Sequence, residues 1–130
     1  MYTMQWAATA IMHYHHAMRS YNQTTMISCA CDVWMRDMHS ARGSLQVVNN
    51  KWLFRVGDQM IAWYLNQESL IRAQGDYRQG TWHEHAKSLM AEHVQTLLIE
   101  DTSPCIHMTI TTDNNAEYTR MVYKHTERCL

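Results

Sequence analysis

The stretch TWHEHAKSLMAEHVQTLLIE, residues 81–100, can be read in two ways, and the choice between them sets the fold. As a helix it opens on a capping box, Thr81 with Glu84. Trp82, Ala86, Leu89, Met90, His93 and Leu97 then keep three- and four-residue spacing. As part of a sheet, its end HVQTLLI (93–99) is an apolar run rich in strand formers. Extended along the chain, the helical reading gives an all-α bundle, with helices near 4–21, 24–42, 45–74, 81–101 and 114–129. Such a bundle would act as a protein-interaction module. The strand reading gives an α+β domain instead.

The segments on either side favour strands. CIHMTITT (105–112) is dense in β-branched residues, DNNA (113–116) is a turn, and EYTRMVYKH (117–125) can pair back as a hairpin. Upstream, QMIAWYL (59–65) and LIRAQGDYRQ (70–79) flank the turn-like NQES. Nearer the N-terminus the period changes. Met4, Ala7, Ala8, Ile11, Tyr14, His15 and Met18 form one helical stripe over 4–21, and Asn22 to Thr25 break it. MISCAC (26–31) follows as a short helix and DVWMRDM (32–38) as a strand. Ser44 caps a further helix in which Leu45, Val48, Trp52 and Val56 keep their spacing up to Gly57-Asp58. The expected order is helix, short helix, strand, helix and then antiparallel strands, in one domain spanning 1–130.

Composition narrows the function. Eleven Lys and Arg stand against twelve Asp and Glu, a net charge of −1, which does not suit a partner covered in phosphates such as nucleic acid. The apolar run AATAIM (7–12) is too short to cross a membrane and lacks the flanks of a secretory leader, so a cytoplasmic location is expected. Cys29, Cys31, Cys105 and Cys129 fit neither zinc spacing nor a C-x-x-C pair and read as free thiols. Eleven Met, nine His and five Trp beside one Phe, one Pro and four Gly are unusual proportions. They also fit a designed or resampled chain, chosen to suit a backbone and without a selected activity.

No metal site or cofactor is expected. In IMHYHHAM (11–18), His13 and His16 are three apart, but His13 lies opposite the apolar stripe that carries His15, and no third ligand is suggested nearby in sequence. HEHAK (83–87) has Lys87 where a metalloprotease helix needs its second His. Arg72, alone among apolar neighbours, is either a sheet-face charge or a pocket group. Tyr14 shares the inward stripe with Ile11 and Met18. His107 and Asp113 would share a strand face with Thr109 and Thr111, a face that is otherwise simply polar and solvated.

Taken in order, these segments resemble the nuclear transport factor 2-like superfamily, which includes ketosteroid isomerase and the SnoaL-like polyketide cyclases. IMHYHHAMRSYNQTTMISCACD looks like the family's opening helices. Gly43 with Val47 and Val48 is similar to the approach to its third helix. LIRAQGDYRQG looks like a central strand, and LLIEDTSPCIHMTITTD like a closing hairpin. The resemblance implies a curved antiparallel sheet around a long helix, enclosing a cone-shaped cavity for a small hydrophobic molecule. It implies proton transfer next to a carbonyl, without metal or cofactor. Tyr14 would polarise the oxygen, and Asp37 or Asp113 would move the proton, with His107 as a further candidate for that role. A homodimer is compatible with the family, and the residues themselves specify none.

Overall fold

The structure, a computed structural model, describes residues 23–123. Helix α1 (residues 23–40) comes first. Its buried positions Ile27, Ala30, Cys31, Trp34, Asp37 and Met38 recur every three or four residues, while Asp32 and Arg36 face water. DVWMRDM is therefore helix and not the expected strand. Val33 and Trp34 favour strands locally, but burial of the stripe to which Trp34 and Met38 belong outweighs that preference.

Eight antiparallel strands follow. β1 (Ala41–Val48), β2 (Lys51–Val56), β3 (Gln59–Asn66), β4 (Ser69–Arg78) and β5 (Thr81–Ala91) form a five-stranded sheet in chain order. β6 (Val94–Thr102), β7 (Cys105–Thr112) and β8 (Glu117–Tyr123) form a three-stranded sheet, also in chain order. The fold is α+β, and the helical-bundle alternative is excluded.

Two hairpin turns explain where helical spacing misled. Asn49 and Asn50 connect β1 to β2 with φ of 50° and 63°, and Gln79 and Gly80 connect β4 to β5 with φ of 55° and 76°. Two successive residues in the left-handed region reverse a chain tightly enough for direct pairing, and Asn tolerates that region well. Residues 45–56, expected as a third helix, are thus a hairpin in which Val48 faces Lys51. Residues 81–91, whose sequence leaves helix and strand both open, form β5, with Thr81 facing Arg78 and Glu84 facing Gly75.

Residues directly opposite in an antiparallel ladder share a face, which fixes the two sides of the five-stranded sheet. Trp52, Trp63, Arg72 and Ser88 form one row facing α1, the inner side. Leu53, Ala62 and Ala73 form a row on the outer side, packed with Val48, Met60, Tyr64 and Trp82. The main core joins α1 to Phe54, Ile61, Trp63 and Leu70 of one sheet and to Leu97, Met108, Ile110 and Val122 of the other. A backbone hydrogen bond from Val94 to the Glu68 carbonyl, 2.9 Å, ties the sheets at their seam.

Register shifts interrupt β5 twice, opposite the steps Gln74/Gly75 and Leu70/Ile71. At the first, a β-carbon on residue 75 would collide with the His83 carbonyl, so only glycine fits. His83 to Leu89 are exposed on both faces of the strand, and α1 leaves this part of the inner side uncovered. Among the described residues, no helix is long and apolar enough to cross a membrane.

Candidate functional site

The one buried carboxylate among the described residues is Asp37, 5% exposed on the inner side of α1. A carboxylate leaves water only at considerable cost unless it is paired and hydrogen-bonded. Asp37 is both, with three hydrogen bonds accepted. Arg72 on β4 donates from Nε to Oδ2 at 2.6 Å and from Nη2 to Oδ1 at 2.9 Å. Trp63 on β3 donates from Nε1 to Oδ2 at 3.0 Å. Helix periodicity directs Asp37 at the sheet, and the register sets Trp63 and Arg72 side by side to meet it.

The side-on pairing holds the guanidinium plane in place and leaves part of it free. Nη1 of Arg72 has no protein partner among the described residues, and the side chain is 20% exposed. Beyond it, Ser88 opposite Arg72 and Ala86 opposite Gln74 lie on the same inner side and are exposed. The site is thus a fixed cation at the edge of a packed core, beside a stretch of sheet that α1 does not reach. On the same stripe of α1, Trp34 is fully buried and its Nε1 has no hydrogen-bond partner among the described residues.

The other residues singled out from sequence lie apart from this cluster. Tyr14 falls outside the described residues, as does IMHYHHAM. Asp37 is held by Arg72 and Trp63. His107 lies on the outer face of the three-stranded sheet, between Glu100 and Met121 and in line with Thr109 and Thr111. Ile106, Met108 and Ile110 alternate with it into the core. Asp113 lies past the end of β7. Its amide donates to the His93 carbonyl at 3.0 Å, and its Oδ2 stands 3.4 Å from His93 Nδ1. Asp113 therefore meets His93, while Asp37 points into the core and His107 points away from it.

Two further groups carry electrostatic character. Asp76 is held below the usual carboxylate range by its hydrogen bond with His85, 2.9 Å, opposed by a smaller effect of burial. The Tyr64 hydroxyl donates to Glu84 at 2.8 Å, and burial first, then that bond, push its pKa up to about 12. No group of three His, Cys, Asp or Glu among the described residues is placed to hold a metal ion. Sequence reading noticed Arg72 without its partner and missed Trp63 and His93. A lone arginine in an apolar strand and an aspartate on a helical stripe were the available signals.

No protein-family model matches the chain, and no curated protein matches it significantly.

Proposed function

We propose that this chain is a binding domain for a small, largely apolar molecule that carries a carboxylate or carbonyl oxygen, received on the inner side of the five-stranded sheet beside Arg72. One observation carries the proposal: Asp37 fixes the Arg72 guanidinium through two nitrogens, the third has no partner among the described residues, and the side chain is 20% exposed. A cation whose orientation is set in advance binds an oxygen without a further ordering cost. The exposed inner face of β5 around Ala86 and Ser88 supplies adjoining space.

A cone-shaped cavity, as in the nuclear transport factor 2-like superfamily, belongs to the same proposal. A helix sharing one core with two antiparallel sheets supports it, whereas the β1–β2 hairpin occupies the place of that family's third helix. Binding is favoured over proton transfer because Asp37 is 5% exposed and held by Arg72 through both oxygens. A general base must come within hydrogen-bond reach of the substrate proton, and the guanidinium already occupies that side of the carboxylate.

The test is calorimetric titration of the full chain with dodecanoate, dodecanol and acetate. Saturable binding of dodecanoate is expected, with dodecanol and acetate each at least about tenfold weaker. The double variant D37L/R72M, which removes the ion pair as a unit, should lose dodecanoate binding while keeping a native circular dichroism spectrum. Equal binding of dodecanol, or full retention by the double variant, would sink the proposal.

A further inference from the structure

We infer that the outer face of the five-stranded sheet carries a second and separate site, which takes the phosphate group of a small phosphate monoester between Arg42 and Arg55. In the β1–β2 ladder these two arginines are directly opposite each other and share a face. Both are exposed, and neither side chain takes part in any ion pair or hydrogen bond of the described residues. Like charges facing each other across a ladder destabilise it. An anion seated between them reverses the sign of that interaction.

The surroundings suit an anion. Arg42 and Arg55 line a depression of ≈ 260 Å³ together with Ser44, Gln46, Met60 and Tyr77, and no carboxylate faces into it. Ser44 and Tyr77 offer hydroxyl donors and Gln46 an amide. β1 also bulges at this point. Between the pairs Arg42–Arg55 and Gln46–Leu53, β1 has three residues, Gly43 to Leu45, where β2 has only Phe54. The ladder is interrupted there. Gly43 adopts φ of 81°, which turns the chain out of strand conformation beside the two guanidinium groups. Backbone released from a ladder next to a cation pair is a common setting for an oxyanion.

Charge and size select the ligand class. Two guanidinium groups match the dianion that a phosphate monoester becomes near neutral pH better than they match a single carboxylate. The volume holds a phosphate with a small organic group, and Met60 and Tyr77 provide an apolar wall for that group. This side of the sheet is opposite to that of Arg72, because Arg55 alternates with Phe54, which faces the core. The two sites therefore stand or fall separately.

The test uses the full chain with phenyl phosphate, inorganic phosphate and benzoate as calorimetric probes. Phenyl phosphate should bind saturably and more tightly than the other two. R42Q and R55Q should each weaken it about tenfold or more, the double variant should abolish it, and R78Q should leave it unchanged. Because both arginines are exposed, R42Q and R55Q should melt no lower than the wild-type chain without phosphate, and only the wild type should gain in Tm with phenyl phosphate. The site is refuted if phenyl phosphate fails to saturate up to about 10 mM, or if the double variant binds it as the wild type does.

Discussion

The Asp37–Arg72 pair lends itself to a double-mutant cycle whose outcome can be worked from the geometry. Asp37 is 5% exposed and accepts three hydrogen bonds, two of them from a guanidinium at 2.6 and 2.9 Å. Replacing it with Leu leaves Arg72, 20% exposed, partly buried and unpaired, which costs about 3 kcal/mol. Replacing Arg72 with Met leaves the carboxylate buried and uncompensated, with only the hydrogen bond from Trp63 remaining, which costs about 4 kcal/mol. The double variant loses both charges together. Its main residual cost is the orphaned Trp63 Nε1, about 1–2 kcal/mol. The expected coupling is therefore about 5 kcal/mol, a large fraction of the 5–15 kcal/mol typical of a whole domain. Urea unfolding followed by tryptophan fluorescence measures each corner, and circular dichroism checks that the native state is retained. A coupling below about 0.5 kcal/mol, or a D37L variant within about 1 kcal/mol of wild type, would refute the assignment of the pair as the main polar tie between helix and sheet.

Gly75→Ala should lower stability by about 3 kcal/mol or more in the same unfolding assay, because the added methyl meets the His83 carbonyl; a change under about 0.5 kcal/mol would show that β5 can yield. Of the thiols, Cys29 is exposed while Cys31 is fully buried and its pKa is raised, chiefly by burial. In single-cysteine variants Cys29 should therefore react with a disulfide reagent about 100-fold faster than Cys31. Tyr64 should give a tyrosinate step at about pH 12 when absorbance is followed at alkaline pH, absent in Tyr64→Phe and brought part of the way down in Glu84→Gln. The folded chain keeps this proton up to about pH 12, whereas the unfolded chain loses it near pH 10. The stabilisation is thus complete below about pH 10 and is lost as pH rises through about 12; a Tyr64→Phe difference curve centred near pH 10 would contradict it.

The sheet was legible from β3 onward wherever a β-branched run ended at a turn. CIHMTITT coincides with β7, and QMIAWYL and LIRAQGDYRQ fall within about a residue of β3 and β4. The N-terminal half was harder, for two physical reasons. Asn49-Asn50 contains no glycine, and the chance spacing of Val48, Trp52 and Val56 imitated a helix across it. DVWMRDM continues a helix whose stabilising partners lie far ahead in sequence. Asp37 meets Arg72, 35 residues away, and no local pattern could reveal that. The same distance hid the candidate site. Its arginine and its carboxylate each stood out in the sequence, but only tertiary packing shows that they belong together. His107 was correctly placed beside Thr109 and Thr111, while the partner of Asp113 was obscured because β7 ends before it.

The sequential strand order has a consequence for how the chain folds as it is made. Every strand pairs with a neighbour in sequence, most of them across two-residue turns, so both sheets can zip from local hairpins within microseconds of their completion. Helix α1 is in the opposite position. Its apolar stripe is complete at Met38, but the core that receives it includes Val122 of the last strand. At the usual pace of translation the roughly 80 intervening residues take about 4 to 16 s. During that interval a nascent helix bearing Ile27, Trp34 and Met38 has only part of its shelter. Docking of the three-stranded sheet is then the step that commits the chain, and substitutions in β7 and β8 should affect yield during synthesis more than they affect the stability of the finished protein.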